Sequence, residues 1–327
     1  MRNLIFSLMV APLLCTACYW HEPIDAPKYP TPEQHPEYQS KLYYTTTDGE
    51  PIVLNNNKTF GIEVLDISYE DGLGVITFDG IARRVGARAF EGCETLKSVT
   101  LPDSTRVIDS RAFAFCTNLE EVTLCDSLMA INREAFAQCQ SLTSVTIPKR
   151  VEDIGENAFV RCDNLREFCG DLASQDGRAL VIDGTMVAFA PYGIEEYRLP
   201  SDIEALGNWV FHLCGSIRAL TISNSVKSIG IGAFGYCSSL EEITFGEGIE
   251  NIADEALRDC LALQSIYLKT KTPPHITHSS ISTFNYNTYV YEYLGCDIYV
   301  PNDAVSTYTT AEQWSEYAAY IKGYDLE

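Results

Sequence analysis

Cysteine is the residue in this sequence most able to do chemistry, since its thiolate can act as a nucleophile, bind metals and form disulfides. The chain holds 12 cysteines among 327 residues. No Cys-x-x-Cys pair occurs after residue 18, so the spacing is wrong for a zinc site. The cysteines that follow a fixed step form a ladder, which consists of Cys93, Cys116, Cys139, Cys162, Cys214, Cys237 and Cys260.

Histidines and paired carboxylates are the other groups that could support catalysis or hold a metal. His275-x-x-His278 has metal-ligand spacing, but no supporting carboxylate accompanies it. Glu120-Glu121 and Glu241-Glu242 occupy equivalent positions in a repeat, which indicates a solvated face and not an acid/base pair. The sequence therefore predicts a protein that is not an enzyme, with no catalytic residue, no metal and no cofactor.

The composition is that of a globular protein with a strong acidic excess. Apolar residues make up 46 % of the chain and charged residues 21 %, which excludes wholesale disorder and a polytopic membrane protein. The formal net charge is −22, and no glycine-rich phosphate loop is present. Nucleic acid is therefore not an expected partner, because phosphate contacts need basic patches.

A 23-residue repeat positions the ladder cysteines. Each coil reads I-x-x-x-A-F-x-x-C-x-x-L-x-x-V-x-L, and its anchor is the aromatic or leucine residue three positions before the cysteine. The step from the fourth to the fifth anchor is 52 residues, which equals one repeat plus an insertion of 29. The anchors are Phe90, Phe113, Phe136, Phe159, Phe211, Phe234 and Leu257.

The second half of each coil predicts a strand, and the periodicity as a whole predicts a stacked solenoid. In Val145-Thr146-Ile147 the apolar pair points inward and the threonine outward. We expect the Ala-Phe segment to form a short helical or 3-10 turn on the opposite side. The fold class is therefore α/β, a leucine-rich repeat solenoid of 23-residue coils with strands on one face and helical turns on the other.

The ladder cysteines are expected to be small, buried core residues. Occasional disulfides between coils and a metal site stay open as alternatives, although adjacent Cβ vectors would run parallel and seven thiols cannot all pair. Cys125, Cys169 and Cys296 fall outside the ladder. These three could face solvent or form pairs, and if the ladder thiols are buried we expect the native protein to react mostly through them.

The outward side chains of the predicted strands form polar columns that could be a concave binding surface or merely an exposed strand face. Their hydroxyl and carboxylate groups would favour a polar or basic partner. The candidate binding residues are Thr100, Glu121, Thr123, Thr146, Glu167, Thr221, Glu242, Thr244 and Tyr267. A second, Tyr-rich segment could contact glycan or protein, or pack as part of a cap, through Tyr286, Tyr289, Tyr291 and Tyr293.

The recurring A-F-x-x-C-x-x-L pattern resembles the BspA-like leucine-rich repeats of bacterial surface proteins of the Bacteroidetes type. Three flanking segments also resemble parts of that family. Residues 43–49 and 74–78 resemble its N-terminal cap, residues 176–200 resemble its hairpin-like island, and residues 298–317 resemble its C-terminal cap. The resemblance implies a binding or adhesion role at the cell surface. The implied partner is a host or neighbouring-cell macromolecule, protein or glycan.

The N-terminus resembles a lipoprotein signal. A weakly basic start precedes an apolar run over residues 4–14, which is too short to span a bilayer. Small residues then precede Cys18, the expected lipidated residue, with Cys15 as an alternative acceptor. A plainly cleaved signal and an uncleaved anchor are the other possibilities. Five prolines in the following stretch, between Pro23 and Pro36, predict a stiff tether.

These features predict the following organisation and role. The segments are a lipoprotein signal peptide (1–18), a Pro-rich tether (19–40), an N-terminal cap (41–80), repeats (81–268) with an island at about 171–200, and a C-terminal cap (269–327). The protein is expected to be extracytoplasmic, anchored to the outer membrane by lipid only and displayed at the cell surface. Its predicted function is binding or adhesion, and the alternative is a carbohydrate-associated lipoprotein that binds glycan through the Tyr-rich segment.

Overall fold

The structure is a computed structural model that describes residues 41–55, 59–285, 290–293 and 295–325. The predicted signal peptide, Cys15, Cys18 and the tether lie outside the described residues. Among the described residues, no helix has both the length and the apolar character needed to cross a membrane.

Two strands per coil build the solenoid. The longer strand follows the Leu-x-x-Val part of the repeat, and the strands of successive coils run parallel in three hydrogen-bonded groups. We call this series the repeat sheet. It consists of Leu96–Thr100, Glu121–Thr123, Ser144–Thr146, Glu167–Cys169, Glu196–Arg198, Ala219–Thr221, Glu242–Phe245, Ser265–Leu268, Asp297–Pro301 and Ile321–Tyr324.

A second series consists of parallel strands, each two residues long. Seven of them end five residues before an anchor, an eighth follows the last coil, and the second residue of every strand is buried. These short strands close the coil from the other side. They are Arg84–Val85, Val107–Ile108, Ala130–Ile131, Asp153–Ile154, Ala205–Leu206, Ser228–Ile229, Asn251–Ile252 and His275–Ile276.

The anchor phenylalanines stack along the inside of the solenoid and confirm the coil spacing. The ring of Phe113 lies 4.9 Å from that of Phe90 and 5.2 Å from that of Phe136, with interplanar angles of 7° and 4°. Phe159 continues the stack at 5.4 Å. These spacings match the separation of neighbouring strands, about 4.8 Å, because each ring sits at the same place in its coil.

The α/β description and the helical turns predicted for the Ala-Phe segment are not confirmed, since that segment consists of turns. The residues two before and two after an anchor have positive φ, for example Glu134 at 56° and Gln138 at 60° around Phe136. Their N–H groups donate to the next coil, as Phe136 does to the Ala158 carbonyl at 2.8 Å. In a helix these N–H groups would donate to carbonyls of the same segment. Here they donate to the neighbouring coil, so the turns link successive coils by hydrogen bonds.

The insertion after the fourth coil forms a hairpin. Its strands, Ala179–Ile182 and Thr185–Phe189, pair antiparallel, and the second pairs in parallel with the short strand Ala205–Leu206. The segment that resembled the end of an island, around Tyr197, is instead the repeat-sheet strand Glu196–Arg198. The insertion therefore adds a hairpin to the short-strand side, and the coil stack resumes directly after it.

Both ends of the repeats are covered. Lys41–Thr46 pairs antiparallel with both Leu73–Phe78 and the first repeat strand, and Val64–Glu70 forms the outer edge. At the C-terminal end, a 3-10 turn (Asn302–Ala304), a six-residue helix (Val305–Thr310) and a second 3-10 turn (Ser315–Tyr317) precede the last strand. The remaining hairpin pairs Ser282–Asn285 with Val290–Tyr293.

Two buried aromatic side chains fix the C-terminal cap to the last repeats. The Tyr308 hydroxyl donates to the Thr270 carbonyl at 3.0 Å, and the Trp314 indole N–H donates to the Pro274 carbonyl at 2.8 Å. Their rings pack edge to face at 5.2 Å. The cap thereby covers apolar coil that a solenoid end would otherwise leave open to solvent.

Candidate binding surface

The predicted binding residues lie on the repeat sheet with their side chains on its outer face. Alternation along each strand produces this arrangement, as in Glu121–Thr123, where Val122 is buried and its two neighbours are exposed. None of the nine is buried: Glu121, Thr123, Thr146 and Glu242 are exposed, and the other five are half-buried. We call the surface that they share the outer face.

One column of the outer face is rich in hydroxyl groups. Thr100 pairs with Thr123, and Thr146 pairs with Cys169, in the first half of the repeats. In the second half, one residue from each of six neighbouring strands lies in this column. The side chains are long at both ends of the column and short in the middle. In order, these residues are Arg198, Thr221, Thr244, Tyr267, Tyr299 and Lys322.

The neighbouring column is acidic. In the last group of the sheet a carboxylate occurs on every second strand, at Glu196, Glu242 and Asp297, with Ala219 and Ser265 between them. Two strand spacings separate successive carboxylates by about 10 Å, close to the Debye length of about 8 Å at physiological ionic strength. Mutual repulsion between these carboxylates is therefore weak.

Two glutamates of this column are free of ion pairs, whereas their neighbours are paired. Glu120 binds Lys97 at 3.6 Å, and Glu241 binds Arg218 at 2.7 Å, each across adjacent coils. Glu121 and Glu242 form no salt bridge with the residues that the structure describes. Their carboxylates therefore point into solvent with unused hydrogen-bond acceptors.

Four of the predicted residues come together in one open cleft of about 410 Å³ at the C-terminal end of the outer face. Thr221 and Thr244 lie between the longer side chains of Arg198 and Tyr267, so they form its floor. We call this recess the Tyr267 cleft. Its lining residues are Arg198, Thr221, Glu242, Thr244, Tyr267, Lys269, Tyr324 and Asp325.

The aromatic wall of the cleft is held in a fixed orientation. The Tyr267 ring stacks on Tyr299 at 4.7 Å with an interplanar angle of 12°, and the Tyr324 ring packs edge-on against Tyr267 at 5.5 Å. Lys322 lies 5.9 Å from the Tyr299 ring centroid and binds Asp297 at 2.6 Å. Burial is the main factor that raises the pKa of the Tyr267 and Tyr324 hydroxyls, so both remain protonated donors at neutral pH.

Four residues that our sequence analysis did not include contribute to the cleft: Arg198, Lys269, Tyr324 and Asp325. The signal for Arg198 was present, because a step of 23 back from Thr221 leads to it and the same step from Leu220 leads to Tyr197. No repeat step leads to Tyr324, because the strand that carries it follows the C-terminal helix.

Six of the seven ladder cysteines are buried in the core as predicted, whereas Cys93 is half-buried. The Cys139 thiol donates to the Phe113 carbonyl at 3.2 Å, and the Cys162 thiol donates to the Phe136 carbonyl at 3.1 Å. The same contact, from each cysteine to the anchor of the preceding coil, recurs at Cys116, Cys237 and Cys260. Burial raises the pKa of Cys162 to about 12, so its thiolate is not available for chemistry at neutral pH.

The expectation that Cys125, Cys169 and Cys296 are the accessible thiols is wrong, because all three are buried. The Cys125 thiol donates to the Thr105 carbonyl at 3.1 Å, a contact of the same kind as in the ladder. All ten cysteines that the structure describes are free thiols, and Cys93 is the one that is not fully buried.

The histidines do not converge. His275 contacts the Asn251 side chain at 3.2 Å, whereas His278 contacts Glu316 at 3.3 Å. Within the described ranges, no group of three or more His, Cys, Asp or Glu side chains could hold a metal. Tyr286 and Tyr289 of the Tyr-rich segment lie outside the described residues, and Tyr291 and Tyr293 belong to the strand Val290–Tyr293.

Comparison with known proteins identifies the repeat. The family model for the BspA type leucine rich repeat region matches in six copies, over residues 69–171 and 185–291. No curated protein matches the chain.

Solved structures of leucine-rich repeat proteins are similar to this chain. A leucine-rich cell surface protein from Faecalibacterium prausnitzii is 24 % identical, with a TM-score of 0.48, and the match covers 72 % of this chain and 61 % of that one. The pneumococcal vaccine antigen PcpA is 18 % identical, with a TM-score of 0.44 and coverage of 70 % and 67 %. The match thus spans about three fifths of the Faecalibacterium protein's length.

Proposed function

The chain belongs to the BspA type leucine-rich repeat family, and from this premise we propose that it is a non-enzymatic adhesion protein of the cell surface. Its outer face binds a macromolecular partner, and that partner is a protein with a basic, polar surface. The observation that supports this choice is the column of carboxylates, in which Glu121, Glu196 and Glu242 form no ion pair with described residues.

The charge of the whole chain supports a basic partner. A net charge of −22 attracts cationic surfaces over distances of about a Debye length and speeds their encounter. The acidic column then provides local contacts, since Glu121, Glu196 and Glu242 are exposed and form no ion pair with the described residues. A face built from parallel strands presents an extended surface, which suits a protein partner better than a small substrate.

The test compares two variants of equal net charge. The first carries Glu121→Gln, Glu196→Gln and Glu242→Gln on the outer face. The matched control carries Glu152→Gln, Glu204→Gln and Glu250→Gln, three exposed glutamates beside the short strands. A panel of immobilised basic and acidic extracellular-matrix proteins serves as the probe.

We expect the chain to bind basic members of the panel. The outer-face variant should lose about tenfold or more in affinity and show a shallower salt dependence, whereas the control should change by less than about twofold. Equal losses in both variants would mean that only the total charge matters, and the outer face would then not be the binding site. Binding confined to acidic proteins would contradict the proposal as well.

We also propose that the chain is a lipoprotein, extracytoplasmic and attached to the outer membrane through Cys18. The apolar run over residues 4–14, the small residues before Cys18 and the proline-rich stretch after it support this placement. Lipid attachment at about 0.8 kcal/mol per buried CH₂ would anchor the chain firmly when several acyl chains are present. Metabolic labelling with an alkyne fatty acid should mark the wild type and not Cys18→Ser, and equal labelling of both would refute the assignment.

A further inference from the structure

We propose that the Tyr267 cleft is a binding site for a neutral saccharide chain. The proposal rests on the outer face being a binding surface, but its test uses small saccharides, so it can fail independently of the protein-binding role. The site differs from the Tyr-rich segment predicted from the sequence, since its aromatic residues are Tyr267, Tyr299 and Tyr324.

The shape of the cleft follows from the order of side chains along one column. Arg198 and Tyr267 are three strand spacings apart, about 14 Å, and the two strands between them carry only threonines. The short floor leaves a trough between two long side chains. A volume of about 410 Å³ lies within the range of pockets that hold small molecules.

The Tyr267 ring can provide a flat, apolar platform. Tyr299 stacks on one of its faces, and Thr244 is its neighbour on the other side. Thr244 is too short to cover the second face, and Tyr267 lines the trough beside it, with the Tyr324 ring perpendicular at 5.5 Å. The C–H face of a pyranose ring is apolar and of similar size, so it can pack there, while the sugar hydroxyls at its rim remain free to form hydrogen bonds.

The charges around the trough balance, which distinguishes this cleft from the rest of the acidic molecule. Arg198 and Lys269 provide two positive groups, and Glu242 and Asp325 provide two negative groups. Arg198, Glu242 and Lys269 form no salt bridge with the described residues. Donors and acceptors thus line the same recess, as a ligand whose hydroxyls both donate and accept would require.

The Tyr324 hydroxyl is a further unused group. Its oxygen is shielded from solvent and makes no hydrogen bond within the described structure, although the residue lines the cleft. A buried hydroxyl without a partner costs stability, about 1–3 kcal/mol, unless something else satisfies it. A ligand hydroxyl in the cleft is the partner that we infer, and the contact requires the Tyr324 ring to turn its oxygen towards the cleft.

Charged ligands fit less well. A basic side chain would meet Arg198 and Lys269, and an acidic sugar would meet Glu242 and Asp325, in a protein whose net charge is −22. A neutral ligand avoids both kinds of repulsion. Glu242 belongs to both the cleft and the acidic column, but Arg198 and Lys269 offset its charge within the cleft. Glu121 and Glu196 lie outside the cleft lining and favour a basic partner.

Binding is tested by saturation-transfer NMR and titration calorimetry with named probes. The neutral probes are tetrasaccharides of β-1,4-glucose, α-1,4-glucose, β-1,4-galactose and β-1,4-N-acetylglucosamine. The charged probes are an oligogalacturonate and a short oligoarginine. The variants are Tyr267→Ala, which removes the platform, Tyr267→Phe, which keeps the ring, and Thr244→Trp, which fills the trough without removing buried packing.

We expect at least one neutral tetrasaccharide to bind the wild type. Tyr267→Ala should weaken that binding about tenfold, as expected for the loss of a stacking contact, and Tyr267→Phe should retain it within about threefold. Thr244→Trp should block it. Tyr192→Ala, at an exposed tyrosine of the island, is the matched control and should bind as the wild type does.

Three results would overturn the proposal: no neutral probe binds, only a charged probe binds, or binding survives both Tyr267→Ala and Thr244→Trp. Circular dichroism of every variant separates loss of binding from loss of fold. The matrix-protein panel applied to Tyr267→Ala shows which proposal has failed. Protein binding that persists without saccharide binding would leave the adhesion role in place and refute the cleft alone.

Discussion

Replacement of Phe136 by alanine should be among the most destabilising single changes in the chain. Phe136 is fully buried in the middle of the uninterrupted first run of repeats. Its ring stacks between Phe113 at 5.2 Å and Phe159 at 5.4 Å, almost parallel to both. Truncation would therefore remove contacts with two neighbouring coils at once.

The magnitude follows from burial and stacking. A fully buried Phe→Ala change costs about 3–5 kcal/mol in the free energy of unfolding. Two aromatic pairs, each worth about 0.5–1.5 kcal/mol beyond area burial, place Phe136→Ala at the upper end of that range. Phe136→Leu should cost much less, about 1 kcal/mol, because the anchor position tolerates leucine in the last coil, at Leu257. Thr146→Ala on the exposed face of the same repeat should cost under about 0.5 kcal/mol.

Urea unfolding followed by circular dichroism and by tyrosine fluorescence measures these differences. Coincident transitions by the two probes are needed before a single free energy is assigned, because repeat proteins can unfold segment by segment. A loss below about 1.5 kcal/mol for Phe136→Ala, or a loss equal to that of Thr146→Ala, would refute the inward and outward assignment of the coil.

Three further predictions concern buried polar groups. In native protein a thiol reagent should modify Cys93 first and the other described cysteines slowly, and denaturation without reductant should release all ten described thiols; fewer would indicate disulfides between coils. Cys139→Ala should lower the free energy of unfolding by about 1 kcal/mol in urea melts, because the Phe113 carbonyl loses a donor; a neutral effect would show that the thiol only fills space. Burial, with help from nearby arginines, lowers the pKa of His212 from 6.5 to about 4. The unfolded chain binds this proton more readily than the folded chain does. The contribution of neutral His212 to the free energy of unfolding is therefore complete above pH 6.5 and declines as the pH falls towards 4. His212→Gln should flatten that decline in melts at several pH values, and a decline as steep as that of the wild type would contradict the assignment.

The coil architecture was predictable from the sequence because its determinants are periodic. The 23-residue step identifies the anchors, the buried cysteines and the alternation of each strand, and the structure places them accordingly. The turns were not predictable. Most of their left-handed positions are occupied by residues such as Glu134, Gln138 and Trp209, and only Gly92 and Gly232 supply the glycine that usually marks positive φ there.

The candidate site was predictable in part, for a related reason. Thr221, Glu242, Thr244 and Tyr267 follow the repeat step, and the structure brings them together in one cleft. Tyr299 and Tyr324 lie beyond the last repeat, on strands that extend the sheet within the C-terminal cap. Local pattern cannot reveal such partners, because their position depends on how the cap packs against the last coil.

The central claim is that the outer face binds the partner. It is tested most directly by attaching a bulky group to that face at one position. Among the described cysteines all but Cys93 are buried, so a cysteine introduced on the surface can be labelled in a Cys93→Ala background, with the labelled site checked by peptide mass. Thr146→Cys places a bulky maleimide on the outer face, and Met129→Cys places it beside the short strands, at a residue that is 42 % exposed.

Both unlabelled variants are assayed against the basic matrix protein that binds the wild type best, and again after labelling. We predict that the label abolishes binding at Thr146→Cys and leaves it unchanged at Met129→Cys. Undiminished binding by labelled Thr146→Cys, or loss of binding only at Met129→Cys, would contradict the assignment of the outer face as the binding surface.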